Sequence, residues 1–404
     1  MKKLLLLGGS HDSIALIKKA HDLGCQIICC DMDEHAPAVQ YSDYFYNVSV
    51  TKKEIILQIA RDNNIDGILS FACDAGVVTA SYIANVLGLV YNGPDSSVKI
   101  LQDKGLFRQF LLNNGFNCPH AKRYTDCNEP FNDLDYYNWP VIVKPVDSAG
   151  SRGVRRVDKK EDLADAIENA MKYSLSKAFI MEDYLIFEGY HSDADIFVNN
   201  GTISFITYSD QIFDPEAINP YAITTVVWPS SMKDDNQKYL TRELQRLISL
   251  LDMKTGLYNV ETCVDNQGRP YIMEVSPRGG GQRIAEIQSA AFGLDLLDAE
   301  IKSALGLKVP NFGEHSCNGC WCKYCIHLSN KKGILKSVSV ADKILNEYVY
   351  DFDLHKKKGD EIMPYYGAGN SIGDLIMCFK SRSEYEQVMS KINNWMTIDY
   401  EEKS

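Results

Sequence analysis

A chain of 404 residues is too long for one ordinary core and implies two or three packed units. Its formal net charge of −12 argues against a general nucleic-acid or anionic-membrane binder, because an acidic surface repels both. An apolar content of 45% with 24% charged residues is that of a globular protein.

The opening Met1 to Leu7 has the look of a leader, but its apolar run stops at Gly8-Gly9-Ser10-His11. That is too short for a signal sequence and reads as a buried first strand. No stretch is long enough to span a membrane. The 12 cysteines, without a secretion signal, point to reduced thiols and a cytoplasmic protein.

The first 95 residues alternate, with strands predicted over 4–7, 26–31 and 67–71 and helices over 13–23, 55–63 and 76–87. Such alternation with short loops means a parallel α/β sheet. The glycines at 8 and 9 lack the Gly-x-Gly-x-x-Gly spacing, which argues against a dinucleotide site. Asp74 follows a strand's carboxyl end, where open α/β sheets bind ligands, so it either contacts substrate or caps the next helix. Asn92-Gly93-Pro94-Asp95 then breaks the chain before a helix carrying Lys104.

Residues 139–157 read as a strand ending at Lys144-Pro145, a Gly/Ser loop over 147–153 and a return strand. Small residues such as Ser148, Gly150, Ser151 and Gly153 let backbone N–H groups approach phosphate oxygens, with Lys144 in reach of the same phosphates. No Gly-Lys-Ser/Thr follows, so this is not a Walker loop. The apolar strand 178–181 runs into the linker Glu182-Asp183-Tyr184-Leu185. That order suits adenine recognition by backbone groups, with Met181 and Met273 as candidates to sandwich the ring, although such methionines are more often simply core.

The richest segment is 255–281. Glu261 and Glu274 lie in two apolar strand-like runs joined by Asp265-Asn266-Gln267-Gly268, and a hairpin brings them to one end of a sheet. A carboxylate in an apolar strand is costly unless paired or bound to metal. Magnesium takes such hard oxygen ligands together with substrate phosphates. Ser276 and Asn259 stand alongside, and Arg278 offers a planar fork for phosphate or carboxylate oxygens. Gly279, Gly280 and Gly281 lead into a helix predicted over 283–305, whose start would bind an anion.

In the tail, strands are predicted near 333–335 and 375–379, and a helix over 384–395. Cys317, Cys320, Cys322 and Cys325 lie too close together for two separated zinc knuckles. If 321–328 is a strand, Cys322 and Cys325 face opposite sides, so free buried thiols are expected.

Taken together, these motifs resemble the ATP-grasp superfamily, in the branch with carbamoyl-phosphate synthetase, biotin carboxylase, glycinamide ribonucleotide synthetase and amino-acid ligases. The resemblance covers nearly the whole chain, with the motifs in the family's order. It implies an α/β ATP-grasp fold: an N-terminal parallel α/β domain (1–95), a linker helix with a small lid subdomain (96–190), a large subdomain with the metal ligands (191–308) and a C-terminal α+β portion (309–404). By this likeness Lys104 and Lys144 are the ATP lysines, the loop 147–153 is the lid, and Glu182, Tyr184 and Leu185 belong to the adenine hinge, with Met273 beneath the ring. Glu261, Glu274 and Ser276 hold magnesium, or manganese in its place, and Arg278 and Glu274 are catalytic. Ser276 departs from the family's asparagine. His191 stands where an acid usually holds the ribose, with Glu188 as the fallback.

The activity implied is an ATP-dependent carboxylate–amine ligase forming an amide through an acyl phosphate and releasing ADP and phosphate. Its partners are a small carboxylic acid and an amine, with no nucleic acid and no membrane, and a homodimer is compatible. Asp74, Arg278, Gly280, Arg283 and Glu286 are candidate substrate contacts, although Arg283 and Glu286 also suit an i, i+3 ion pair. Tyr208, Asp210 and Tyr221 are further guesses. A bicarbonate-using carboxylase or carbamoyl-phosphate-type enzyme, and a non-catalytic ATP-binding regulator, are the alternatives. The sequence names neither the acid nor the amine.

Overall fold

A computed structural model describes residues 1–148 and 150–403, so Ala149 of the Gly/Ser loop lies outside the described residues. The chain begins with a four-stranded parallel sheet in the spatial order Tyr44–Asn47, Cys25–Asp31, Lys2–Leu7, Gly67–Ser70. Leu4, Leu5, Leu6 and Leu7 are all fully buried, because the crossover helices Ser13–Asp22 and Lys53–Asn63 and the following helix Asp74–Leu87 cover such a sheet. The strand Tyr44–Asn47 escaped the sequence reading. It is an edge strand with no fully buried residue, and so has no apolar run to betray it.

The helix bearing Lys104 is separate from the one that Pro94 opens. The first runs Asp95–Gln102, and Asp103 then leaves helical geometry and caps a new helix, Lys104–Asn113, by accepting from the N–H groups of Gly105 and Leu106. The lid follows as an antiparallel sheet ordered Ala121–Tyr124, Phe179–Asp183, Val141–Pro145, Arg155–Val157, backed by the helix Leu163–Tyr173. Met181 is fully buried in the core between this sheet and its helix, which removes it from any role against a nucleotide.

A second antiparallel sheet is ordered Thr202–Phe205, Ser192–Asn199, Gly256–Val264, Pro270–Ser276. The helix predicted over 283–305 is two helices, Ile284–Phe292 and Leu296–Ala304. Gly293 ends the first in a left-handed conformation (φ 67°), and Asp295 caps the second. The terminal helix is likewise broken, into Arg382–Met389 and Ile392–Trp395.

The five-stranded sheet Asp210–Phe213, Ile223–Trp228, Cys320–Ile326, Gly373–Phe379, Val349–Leu354 draws strands from both sides of residue 308. The boundary placed there from sequence therefore cuts through a continuous sheet, because the chain leaves this sheet at 228 and returns at 320. A three-stranded sheet (Glu361–Ile362, Gly333–Val340, Met396–Glu402) completes the tail. Cys320 and Cys322 point into one core and Cys325 into another, as strand alternation requires, while Cys317, ahead of the strand, packs against a third. Among the described residues, no helix is long and apolar enough to cross a membrane.

Candidate active site

Between the lid sheet and the central sheet lies a cleft of about 610 Å³. Its floor is the hairpin Gly256–Val264/Pro270–Ser276, whose register sets Glu261 directly opposite Glu274 and Asn259 opposite Ser276. The next strand adds to both rows, with Asp193 opposite Glu261 and Asp195 opposite Asn259. Asp193, Glu261 and Glu274 thus form a line of carboxylates across three strands. Like charges directly opposed in a sheet repel. Burial, with Glu274 and Asp193 adding to it, pushes Glu261 up to about 8. Burial likewise lifts Asp193 to about 6 and Asp195 to about 7.

The cations around this row are already engaged. Lys104 Nζ lies 2.9 Å from Glu274 Oε2 and donates to the Ser148 carbonyl at 3.2 Å. Lys144 pairs with Glu182, and Arg108 Nε donates to the same carboxylate at 2.8 Å. Burial works against ionisation of Glu182, but Arg108 and Lys144 outweigh it and hold its carboxyl down at about 2. Burial and the neighbouring Arg108 in turn lower Lys144 despite its partner. Glu182 therefore anchors two cations, and only the backbone of the hinge is left for a base. Arg108 was not foreseen. Its second donor goes to the Met273 carbonyl at 2.8 Å, tying lid to floor. The available signal was its place one helical turn after Lys104, on the same face.

Arg278 grips Asp74 through two bonds, Nε to Oδ1 at 2.8 Å and Nη2 to Oδ2 at 2.7 Å. Ser276 Oγ donates to Asp74 Oδ1 at 2.8 Å and accepts from Gln102 Nε2 at 2.8 Å. Asp74 is thus not the helix cap, a place taken by Cys73, and it lines the cleft with both oxygens bonded to Arg278. Ser276 is corrected too, since its hydroxyl is committed to holding Asp74 and it does not line the cleft. Asn259 does line it, and its amide hydrogens go to Asp193 (2.7 Å) and Asp195 (3.2 Å), which leaves its carbonyl oxygen as the spare group.

The glycine corner is also different in kind from the predicted anion site. The Gly280 N–H donates to both oxygens of Asp195, at 2.8 and 3.0 Å. A Cβ on Gly279 would lie 2.3 Å from the Phe71 ring, and one on Gly280 2.7 Å from Asn259 Nδ2. These glycines are there for close packing. The helix start is already occupied, since Asp12 accepts from the Arg283 N–H at 3.0 Å. Arg283 forms two 3.0 Å bonds with Glu286 and a further one to Asp351 at 2.5 Å, so the pair reads as structural. Gly280, Arg283 and Glu286 do not line the cleft, whereas Gln282, unforeseen, does.

The remaining candidates divide in the same way. Ser148, Gly150, Ser151, Tyr184, Leu185, His191, Met273 and Tyr221 line the cleft. Gly153 does not, because it packs where a Cβ would meet Pro145 at 2.8 Å. His191 packs against Phe187, with ring centroids 4.0 Å apart, and burial lowers it to about 4, so its imidazole is neutral. Glu188 instead meets Lys233 at 2.7 Å. Tyr208 and Asp210 are turned away, to Thr241 and Arg382 respectively.

Comparison with known proteins agrees with this geometry. Residues 137–286 match the ATP-grasp domain family, and residues 4–77 match the PylC-like, N-terminal domain family. The chain is 22% identical over 307 residues to an N5-carboxyaminoimidazole ribonucleotide synthase of Staphylococcus saprophyticus, covering 76% of this chain and 77% of that one. In structure it is similar to an L-amino acid ligase from Bacillus licheniformis (TM-score 0.83, 18% identity, 99% of each chain covered). It is similar also to phosphoribosylglycinamide synthetase from Anaerococcus prevotii (TM-score 0.79, 22% identity, 99% of this chain and 100% of that one). The opposed glutamates, Lys144 and the Gly/Ser loop all fall within residues 137–286, the stretch that matches the ATP-grasp domain family, so this part of the chain is an ATP-grasp domain.

Proposed function

We propose that the protein is a carboxylate–amine ligase that forms an amide through an acyl phosphate and releases ADP and phosphate. The observation that carries the proposal is the row of three opposed carboxylates, Asp193 buried and Glu261 and Glu274 half-buried, which would carry more negative charge when ionised than Lys104 offsets. Buried charge of one sign calls for a counter-ion, and hard oxygen donors suit magnesium, with manganese as a substitute. Glu261, Glu274 and the Asn259 carbonyl are the residues that would hold it. Bound there, it would neutralise triphosphate charge.

The rest of the assignment follows the walls of the cleft. Lys104, Lys144 and the backbone around Ser148, Gly150 and Ser151 receive the phosphates. The linker Asp183 to Leu185 meets the adenine edge, Ile142 and Met273 its faces, and His191 the ribose. The substrate carboxylate attacks the γ-phosphorus, the bond to the bridging oxygen breaks, and ADP departs. The amine nitrogen then attacks the acyl carbon and phosphate leaves. Arg278, fixed in plane by Asp74, faces the oxygens that gain charge in both steps. Positioning and charge neutralisation supply most of the rate in such transfers. The likeness to an L-amino acid ligase and a phosphoribosylglycinamide synthetase favours an amine acceptor.

The test is ADP release with Mg-ATP against carboxylic acids crossed with amines, with product masses read in parallel. Turnover requiring one acid and one amine, with a product equal to their sum less water, is the expected result. ATP use with bicarbonate and no amine would replace this reading with a carboxylase, a reaction class that the N5-carboxyaminoimidazole ribonucleotide synthase relative brings into view.

A further inference from the structure

A second cluster of ligating side chains stands apart from the cleft, where the N-terminal sheet meets the C-terminal one. His11 follows the first strand. Asp353 and His355 are two residues apart on the strand Val349–Leu354 and its extension, so strand geometry turns both to one face. One ligand atom from each of the three lies within 4.8 Å of the other two. His11 Nε2 is 3.1 Å from Asp353 Oδ2, and the two imidazole centroids are 4.0 Å apart. His355 Nδ1 is 3.1 Å from Ser371 Oγ, which fixes the ring and leaves Nε2 as its free nitrogen. That Nε2 is buried and lacks a well-aligned hydrogen bond, its one acidic neighbour at ion-pair distance among the described residues being Asp374 Oδ2 at 3.4 Å.

We propose that His11, Asp353 and His355 bind one divalent transition-metal ion, zinc or a close congener, independently of the nucleotide cleft. Two imidazoles and one carboxylate are a donor set for zinc, cobalt, nickel or ferrous iron, whereas magnesium prefers oxygen alone. Three protein ligands leave a coordination position for water. Ser371 holds one ligand from behind. Asp374, engaged by Lys323 at 2.8 Å, sets a fixed negative charge beside the site. An ion here pins the turn after the first strand to the C-terminal sheet. The adjoining Asp12 and Asp351 bond Arg283 beside the glycine corner, so the ion braces that corner from outside.

The experiment uses the full chain carrying Glu261→Gln, stripped with a chelator and titrated with Co²⁺ in the absence of nucleotide, followed by visible absorption and calorimetry. One Co²⁺ per chain with no thiolate charge-transfer band is expected, and Zn²⁺ should displace it. Adding His355→Ala or His11→Gln should weaken binding by about tenfold or more, as loss of a ligand does. Zn²⁺ should raise the melting temperature of the parent chain and leave both histidine variants unmoved, with circular dichroism confirming that they fold. Binding that survives both substitutions, a thiolate band assigning the ion to cysteines, or no binding by the folded parent would each overturn the proposal. None of these outcomes depends on which reaction the nucleotide cleft performs.

Discussion

Arg278 and Asp74 are 204 residues apart, yet they meet in a planar two-bond pair whose side chains are 10% and 22% exposed. Burial works against both charges, but the pairing raises the arginine and holds the aspartate below its usual range. Asp74→Asn removes the partner and leaves the guanidinium without a fixed plane. Turnover should fall by roughly 10²-fold with little change in ATP affinity, because misplacement by about 1 Å carries such a penalty. Separate determination of kcat and nucleotide Kd checks this, and a variant with normal kcat would remove Asp74 from its positioning role.

The carboxylate row gives a pH prediction with a definite sign. Glu261 is raised to about 8, Asp195 to about 7 and Asp193 to about 6, burial being the largest cause for each. In the folded, metal-free protein these groups bind protons that the unfolded chain has released above its ordinary carboxylate range. Stability should therefore fall as pH rises from about 5 to about 8, and Mg²⁺ should restore most at the upper end. Melting temperatures across that range, with and without Mg²⁺, test it. Glu261→Gln should flatten the profile, reduce the Mg²⁺ response and abolish ADP formation while the protein stays folded.

Crowding at the glycine corner predicts a gradient along three neighbours. Gly279→Ala forces a Cβ to 2.3 Å from the Phe71 ring and Gly280→Ala to 2.7 Å from Asn259, so each should cost about 1–3 kcal/mol. At Gly281 the nearest atom is Asp12 Oδ2 at 3.3 Å, so the alanine there should cost less. Denaturant unfolding of the three variants provides the comparison, and equal losses at all three would contradict the packing account.

Lys323 and Asp374 form a buried pair at 2.8 Å, with side chains 1% and 4% exposed. Removing one charge strands the other, so Lys323→Met alone should cost about 3–5 kcal/mol. Lys323→Met combined with Asp374→Leu should recover part of that loss, because no charge is then left unpaired. A double-mutant cycle by chemical denaturation reads the coupling directly.

Arg108 should behave as part of the nucleotide site, whose cleft it lines. Arg108→Met leaves Lys144 as the one charged partner of Glu182 among the described residues, drawing the lysine toward the carboxylate and away from phosphate. ATP affinity should drop by about tenfold or more, in keeping with roughly 1.5–3 kcal/mol for a hydrogen bond to a charged group. Unchanged ATP binding by calorimetry would show that Arg108 serves only the core.

The sequence by itself determined the parts whose physics is local. Alternating apolar runs set the parallel N-terminal sheet, and the turn at 265–268 between two strands brought Glu261 and Glu274 to one end of a sheet, where the register then set them opposite each other. The Gly/Ser loop after Lys144 was legible only in company with the other motifs, because by itself it is equally an ordinary hairpin turn. Tertiary structure alone decided who partners whom. Asp193 and Asp195 alternate along Ser192–Asn199, yet only the register against the next strand brings them beside Glu261 and Asn259. Gln102 bonds Ser276, Ser276 bonds Asp74 and Asp74 bonds Arg278, a relay that links three separate stretches of chain, and Asp195 takes the Gly280 amide that seemed free. A side chain's type says what it can bond. Which of several suitable partners it meets depends on sheet register and helix packing, and those are set by burial of apolar surface far from the charges themselves.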